Sequence, residues 1–419
     1  MRISVVRLLI CIAVGLPFAR TSMAQEGMRD RGRNLGASQQ IVSDLQKARF
    51  HYGSIYLLSR FELMDLGYDQ SFYVPTQDQG NGVSLGLSAP HRLYFVPSKK
   101  VVLSGDFVPQ YTIQTGKNHR SQFGYSSRAD VQFLLNHLYL DAYGTHADSL
   151  KADTGEIDRL TTIRSTDVGV NGEIKYSSRT SATFSAAGRN LSHPASRIQP
   201  TDVAVELLDR KERNYRASIV HKTFPLTSLL VAGEWSDYTF THATYKDATR
   251  RVASAGAIFD NGVTSGRLEV GEARLLFNDP TQHDFRGAVG SFEIARHPAS
   301  RWSYGASATR DLEFSILAFN NYYIEDRVQA SINHNATRSL SLRLSTQIGR
   351  DLYDVPAPDQ NFIFRKRRDD ISFTSVGWVY TFANRLRGGF DIGYYQRKSN
   401  FDVTSQNGIR GILHLSFTP

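Results

Sequence analysis

The sequence lacks most of the features that mark an intracellular enzyme or a helical membrane protein. Its 419 residues include one cysteine, Cys11, and 13 prolines. Beyond residue 24, no apolar run approaches the roughly 20 residues that a membrane-spanning helix needs. The HExxH motif, the P-loop and paired CxxC are absent. We therefore predict no enzyme activity, no catalytic residue, no cofactor and no metal, and a mature chain that could cross a membrane only with β-strands.

The N-terminus has the composition of an export signal. Residues 1–24 combine two early arginines, an apolar run at 8–16 and a small-x-small cleavage site at 22–24. Cys11 lies in this segment, so the mature chain would carry no disulfide. Removing three arginines from 49 basic and 40 acidic residues leaves 46 minus 40, a net charge of +6. This mild excess does not indicate a nucleic-acid partner.

From about residue 51 onward, apolar and polar side chains alternate in segments of about ten residues, as expected for half-buried β-strands. Between Ser339 and Asp351, positions 340 to 348 place leucine, threonine and isoleucine on one face and serine, arginine and glutamine on the other. The final segment alternates in the same way and ends on Phe417, two residues before the C-terminus. An aromatic residue here is typical of an outer-membrane barrel, with residues 409 to 417 facing lipid at odd positions and the lumen at even ones.

The connections between these segments alternate between short turns and longer polar loops. This alternation predicts an all-β, transmembrane antiparallel β-barrel with short periplasmic turns and long extracellular loops. Counting segments gives about eighteen strands, although sixteen remains possible because 229–240 and 265–277 alternate poorly. The predicted organisation is a signal peptide at 1–24, a short periplasmic segment at 25–50 and the barrel at 51–419.

A polar set of side chains is predicted to face the lumen, where arginines and carboxylates could select ions or sugars. The set consists of Glu173, Lys175, Arg216, Lys222, Arg343, Asp351, Asp391, Arg397 and Arg410. The alternative is an interior that is merely hydrated or satisfied by its own ion pairs. A one-residue error in strand register would move the whole set to the other face.

A basic run consisting of Arg365, Lys366, Arg367 and Arg368 is predicted at the extracellular rim. It could pair with lipopolysaccharide phosphates or with an anionic polymer that leaves the pore, or it could simply be a solvated loop end. Two long loops, 191–212 and 352–366, are candidates for a constriction inside the lumen.

Spaced features in the C-terminal half suggest a family. They are Asn214-Tyr-Arg216, Arg250-Arg251 before Ala255-Gly256, His297-Pro298 to Trp302 before Tyr304 to Arg310, Tyr322-Tyr323, Arg367-Arg-Asp369, and Tyr394 to Ser399 before Asn407. In these features the chain resembles the β-barrel porin family 2, whose members occur with exopolysaccharide and capsule synthesis systems. The resemblance implies a polysaccharide substrate, export across the outer membrane and a periplasmic polysaccharide-export partner.

Two other functions fit the pattern. The same barrel could be a general or sugar-selective diffusion porin. A secreted soluble carbohydrate-binding protein is a different class that also contains many short alternating strands. The sequence leaves the solute, the direction of transport and the oligomeric state open.

Overall fold

The described part of the chain is nearly all β-strand. The computed structural model describes residues 41, 44–46, 48, 50–70, 81–115, 120–151, 156, 161–194, 203–298, 301–317, 320–358, 363–383, 385–401 and 405–419. The predicted signal peptide and most of the predicted segment 25–50 lie outside these residues. Among the described residues, no helix is long and apolar enough to cross a membrane.

The strands follow one another along the chain with few other elements between them. They are β1 (Phe50–Tyr52), β2 (Ile55–Ser59), β3 (Phe61–Gln70), β4 (Asn81–Ser88), β5 (His91–Ser98), β6 (Val101–Gln114), β7 (Arg120–Leu134), β8 (Leu138–Lys151), β9 (Thr161–Lys175), β10 (Thr180–Ser192), β11 (Arg210–Phe224), β12 (Thr227–Phe240), β13 (Ala248–Asp260), β14 (Thr264–Phe277), β15 (Phe285–Arg296), β16 (Trp302–Phe314), β17 (Tyr322–Asn335), β18 (Leu340–Tyr353), β19 (Ala357–Pro358), β20 (Phe364–Arg365), β21 (Arg368–Ala383), β22 (Leu386–Ser399) and β23 (Gln406–Phe417). A helical turn at Val203–Glu206 and a 3-10 turn at Thr244–Lys246 lie between strands.

Within the described ranges these strands make eighteen antiparallel crossings of a closed barrel. β2 and β3 are successive parts of one crossing, since β2 pairs with β5 while β3 pairs with β4. The last strand closes the barrel on the first crossing, with Phe417 opposite Phe61. The predicted barrel and its eighteen strands are therefore confirmed. The sixteen-strand alternative is wrong, because both poorly alternating segments form full strands, β12 and β14. A sandwich or propeller is excluded as well.

The connections are short at one end of the barrel and long at the other, as the sequence predicts. The turn from β13 to β14 is an example of a short one. Gly262 has φ of 78°, a left-handed conformation that suits glycine, and the Asn261 side chain accepts hydrogen bonds from the Val263 and Thr264 amides. The long connections include 193–209, 241–247 and 315–321. The short-turn end is periplasmic in outer-membrane barrels, which makes the long-loop end extracellular.

The outer wall exposes large apolar side chains on strand after strand. Val376, Trp378 and Tyr380 on β21 are 38 to 55% exposed, and Ile348 on β18 is 56% exposed. Phe417 is also on this outer face, at the short-turn end of β23, as predicted. A continuous apolar exterior around a closed barrel is the surface that a bilayer requires.

Part of the N-terminal segment packs inside the barrel. Residue Ile41 and residues 44–46 are helical, and Ile41 is buried against the inward-facing Tyr94 and Val102 near the short-turn end. The Asp44 carboxylate accepts hydrogen bonds from the Tyr94 hydroxyl (2.9 Å) and from Arg92 (3.0 Å). This segment therefore occupies part of the lumen.

Candidate functional site in the barrel lumen

One side of the inner wall, from β11 to β16, carries a continuous network of arginines and carboxylates. Arg216 contacts both Glu234 (3.3 Å) and Glu269, and Arg250 contacts both Glu234 (2.6 Å) and Asp311 (2.7 Å). Because Glu234 is shared, the network links four neighbouring strands and reaches β16. Ion pairs of this kind present many hydrogen-bonding groups to the lumen without a large excess of either charge.

A second group of ion pairs lies on the inner faces of β17, β18, β21 and β22. Arg343 pairs with Asp391 (2.7 Å), and Arg327 pairs with Asp351 (2.7 Å). Gly377 leaves room for the Asp391 carboxylate, with which a Cβ at this position would collide. The absence of a side chain at Gly377 therefore makes the space that the Arg343–Asp391 ion pair occupies.

The same side of the wall holds a carboxylate shared by two arginines. Asp369 accepts hydrogen bonds from Arg367 (2.7 Å), Arg397 (3.0 Å) and the Ser399 hydroxyl (2.5 Å). Asp369 is fully buried, and Arg397 is 1% exposed. These three charges are therefore shielded from solutes in the lumen.

The structure brings five members of the predicted lumen set into these ion pairs. They are Arg216, Arg343, Asp351, Asp391 and Arg397. Glu173 is buried on the inner face of β9. Lys175 and Lys222 lie exposed near the short turns, and Arg410 is partly buried on the inner face of β23.

The predicted rim residues do not act as one group. Lys366 is exposed and pairs with Asp354 (2.7 Å), and Arg365 lies over the Phe401 ring. Arg367 turns inward to Asp369, whereas the next residue, Arg368, faces outward. Alternation along the chain thus divides the run between the lumen, the loop end and the outer wall.

Several lumen charges escaped the sequence analysis. Arg250, Glu234, Glu269 and Asp311 form the centre of the first network but are absent from the predicted set. These residues and the predicted Arg216 lie on different strands. Their proximity can therefore be recognised only once the register between the strands is known. Arg250 also immediately precedes the outward-facing Arg251, so the sequence alone does not tell which of the two arginines faces the lumen.

The loops meet across the long-loop end of the barrel. Glu156, between β8 and β9, accepts hydrogen bonds from the Ser315 hydroxyl and the Ile316 amide, both at 2.7 Å, in the connection after β16. Six strands, β10 to β15, separate these two connections, so the contact spans the mouth. Lys246, from a third connection, donates to the Ser315 carbonyl oxygen. We refer to Glu156, Lys246 and Ser315 as the mouth contact.

Both charged members of the mouth contact are buried, with consequences for their protonation. Burial raises the pKa of Glu156 above its ordinary value, although its hydrogen bonds to Ile316 and Ser315 act in the opposite direction. Burial lowers the pKa of Lys246 to about 8, although the neighbouring Glu156 charge acts against this.

An apolar cluster supports the mouth contact from below. It includes Leu208 from the long connection 193–209 and Phe240, Leu275 and Phe314 from the inner wall. The ring of Phe314 packs edge-on against Phe240, with centroids 4.9 Å apart. One of the two loops predicted as constrictions therefore contributes residues to a packed layer inside the mouth.

A cavity of about 250 Å³ lies beside this layer and the first charge network. Arg216, Glu234, Arg250, Glu269 and Asp311 line its polar side. The size is near the lower limit of about 300 Å³ for small-molecule pockets. A cavity of this size could hold a small solute.

One sequence match to a nucleophile elbow occurs among the described residues. Residues 82–86, Gly-Val-Ser-Leu-Gly, match the spacing of a nucleophile elbow, but Ser84 lies within β4 and is paired with β3 and β6. A nucleophile elbow requires a sharp turn between strand and helix. No group of three or more histidine, cysteine, aspartate or glutamate residues in the described ranges could hold a metal ion.

Comparison with known proteins gives structural neighbours only. No family model and no curated protein matches the chain. OccK5 (OpdH) of Pseudomonas aeruginosa is similar, with TM-score 0.50, 11% identity, and coverage of 87% of this chain and 98% of that one. OpdK of the same organism, solved with vanillate, has TM-score 0.48, 10% identity and coverage of 87% and 98%. A bacterial polysaccharide outer membrane secretin has TM-score 0.37, 8% identity and the same coverage.

At 11% identity, the likeness to OccK5 shows the fold alone, which is a closed antiparallel β-barrel. This fold, together with the apolar outer wall, places the protein in the outer membrane of a Gram-negative bacterium. Which solute enters the barrel depends on the side chains that line the lumen.

Proposed function

We propose that the protein is a passive channel for small polar solutes, the diffusion-porin alternative of the sequence analysis. The observation that carries this proposal is a polar inner wall narrowed by loops that meet across the mouth. A passage of this kind sorts solutes by size and by the hydrogen bonds that they can form with the wall.

The charge balance of the wall favours neutral or zwitterionic solutes. Three of the carboxylates that line the cavity are paired with arginines: Glu234 and Asp311 with Arg250, and Glu269 with Arg216 and Arg267. A solute with one sign of charge would have to separate such pairs, whereas hydroxyl or amide groups can exchange hydrogen bonds with them locally. A neutral sugar or a similar polyhydroxylated molecule fits this chemistry.

Polysaccharide export, which the family resemblance implies, has less support. A polymer chain would need a continuous wide path, but Glu156 and Ser315 join opposite sides of the mouth. The N-terminal residues around Asp44 narrow the other end. Export would therefore require rearrangement at both ends of the barrel.

The test is single-channel conductance of the refolded full-length protein in planar bilayers, with and without an acidic polysaccharide. We expect small ion-conducting steps that the polymer leaves unchanged and that a small neutral sugar reduces in a concentration-dependent way. Reversible block by the polymer at low concentration, without an effect of the sugar, would contradict the proposal and favour export.

A further inference from the structure

A row of charged side chains crosses the outer wall of the barrel, on the face that meets lipid. Arg310, Asp326, Arg350, Asp370 and Lys398 lie directly opposite one another on β16, β17, β18, β21 and β22. Side chains in register on neighbouring strands share a face. Val328 and Ile348, which are opposite each other in the same sheet, are exposed on this wall too. The charges therefore lie on the same outer face as these apolar side chains.

A second group of charges continues on the neighbouring strands β14 and β15. Arg274 and Arg286 lie directly opposite each other, and both guanidinium groups contact Glu272 at 2.8 Å. Asp370 is arranged similarly between Arg350 and Arg368, both at 2.7 Å. In each case one carboxylate holds two arginines side by side.

Cations exceed anions on this part of the wall. Among the described side chains, six basic groups stand with three carboxylates. The basic groups, which we call the outer-wall basic cluster, are Arg274, Arg286, Arg310, Arg350, Arg368 and Lys398. Arg286, the most open of those in ion pairs, has a side chain 67% exposed. An arginine has five N–H donors, so contact with one carboxylate leaves donors directed outward.

The height of the cluster fits the outer interface of the membrane. Asp370 lies ten residues from the exposed Tyr380 on the same strand, near the short-turn end. At about 3.3 Å per residue and a tilt of about 40°, ten residues span about 25 Å, the height of the apolar band of such barrels. The cluster thus lies at the level of the extracellular lipid headgroups and above the hydrocarbon.

We propose that the outer-wall basic cluster binds the phosphate groups of lipopolysaccharide in the outer leaflet. Paired arginines that a carboxylate holds at fixed spacing match phosphate, which accepts bidentate hydrogen bonds from guanidinium groups. The position on the lipid-facing wall selects a phosphorylated lipid, because, of the six basic groups, Arg310 alone also lines the lumen cavity. The proposal is independent of the solute that the channel carries.

The experiment measures binding of bisphosphorylated lipid A to the refolded full-length protein in detergent micelles, by native mass spectrometry. The test variant is Arg274→Gln/Arg286→Gln, which removes one arginine pair. The matched control is Arg296→Gln, because Arg296 also faces outward on β15 but lies at the short-turn end, opposite Tyr304. Heat-dependent gel mobility verifies that each variant is folded.

We expect the double variant to lose about fivefold or more in lipid A affinity, given two charge-assisted contacts, while the control keeps the affinity of the parent protein. Lipid A with one phosphate should bind more weakly, and inorganic phosphate should compete poorly. Equal binding by the parent and the double variant would overturn the proposal. Displacement of lipid A by a soluble acidic polysaccharide would also overturn it, because the surface would then recognise a polymer.

Discussion

At the scale of single residues, the direction in which a carboxylate points determines how much the free energy of unfolding falls when that carboxylate is removed. Asp369 and Asp370 are neighbours in sequence, but the first is buried with Arg367 and Arg397 and the second is on the outer wall with Arg350. Asp369→Ala would leave two buried cations without this counter-charge, which costs about 3–5 kcal/mol. Asp370→Ala should cost less than about 1 kcal/mol. Equilibrium urea unfolding in detergent measures both, and equal losses would contradict the assigned directions.

A second pair of neighbours tests the lumen charges. Arg250 faces inward between Glu234 and Asp311, whereas Arg251 faces outward over the Trp235 ring. Arg250→Gln removes the cation that balances two carboxylates, so the preference for K⁺ over Cl⁻ should rise by about twofold or more. Arg251→Gln should leave it unchanged. The reversal potential in a KCl gradient gives the ratio, and a shift confined to the Arg251 variant would refute the register of β13.

At the scale of structural elements, the mouth contact should respond to pH. When the loops meet, burial raises the pKa of Glu156 above its ordinary 4.5, and loops that have separated would restore that value. The closed mouth therefore binds the proton more tightly, so its extra stability is complete below about pH 4.5 and is lost as the pH rises through the raised pKa. Lys246, with a pKa of about 8, stays largely protonated below neutral pH and adds little slope there.

We therefore expect the open-channel current to fall as the pH is lowered from about 7.5 to about 4.5. Glu156→Gln keeps an acceptor for Ser315, loses the second acceptor that serves the Ile316 amide, and cannot titrate, so its current should be independent of pH and lower than that of Glu156→Ala. Glu156→Ala loses the acceptor, and its current should be high throughout. Bilayer recordings across this pH range measure the current of the parent protein and of both variants. A pH response that persists in the Gln variant would assign the response to another group.

The N-terminal segment is a second element with a measurable role. Ile41 is 5% exposed in an apolar cluster with Tyr94 and Val102, while Gln46, which is also helical, is exposed. Ile41→Asp would place a carboxylate among apolar groups and should release the segment, which raises conductance. Gln46→Asp adds the same charge without this effect. Identical conductance in the two variants would show that the segment does not narrow the passage.

The strands were easier to predict than the contacts inside the barrel, for physical reasons. Alternation is imposed by lipid on one face and water on the other, so most strands show it locally. It weakens where the inner wall is apolar: Leu230 and Ala232 on β12 and Ala273 and Leu275 on β14 are buried inward. Those are the two strands that the sequence left uncertain.

The loop contacts had no comparable signal. Glu156 and Ser315 are 159 positions apart and meet only because the closed barrel brings their connections together. The inward position of Asp44 depends in the same way on Tyr94. Such pairings follow from closure of the whole sheet, which local periodicity does not encode.

At the scale of the whole molecule, the described residues form a closed barrel whose lumen is narrowed at both ends. In the proposed channel, the barrel supplies the passage and the apolar outer wall holds the protein in the membrane. The mouth contact and the N-terminal segment then limit its width. In the proposed function, these parts together make the channel discriminate between solutes by size.

The most direct test is a liposome-swelling assay with the full-length protein and a graded series of neutral sugars, from monosaccharides to polysaccharide. We predict rapid entry of monosaccharides, a steep fall in rate with increasing size, and exclusion of the polymer. Entry of polysaccharide at a rate similar to that of its monomer would contradict the account, as would a folded barrel that admits no sugar of any size.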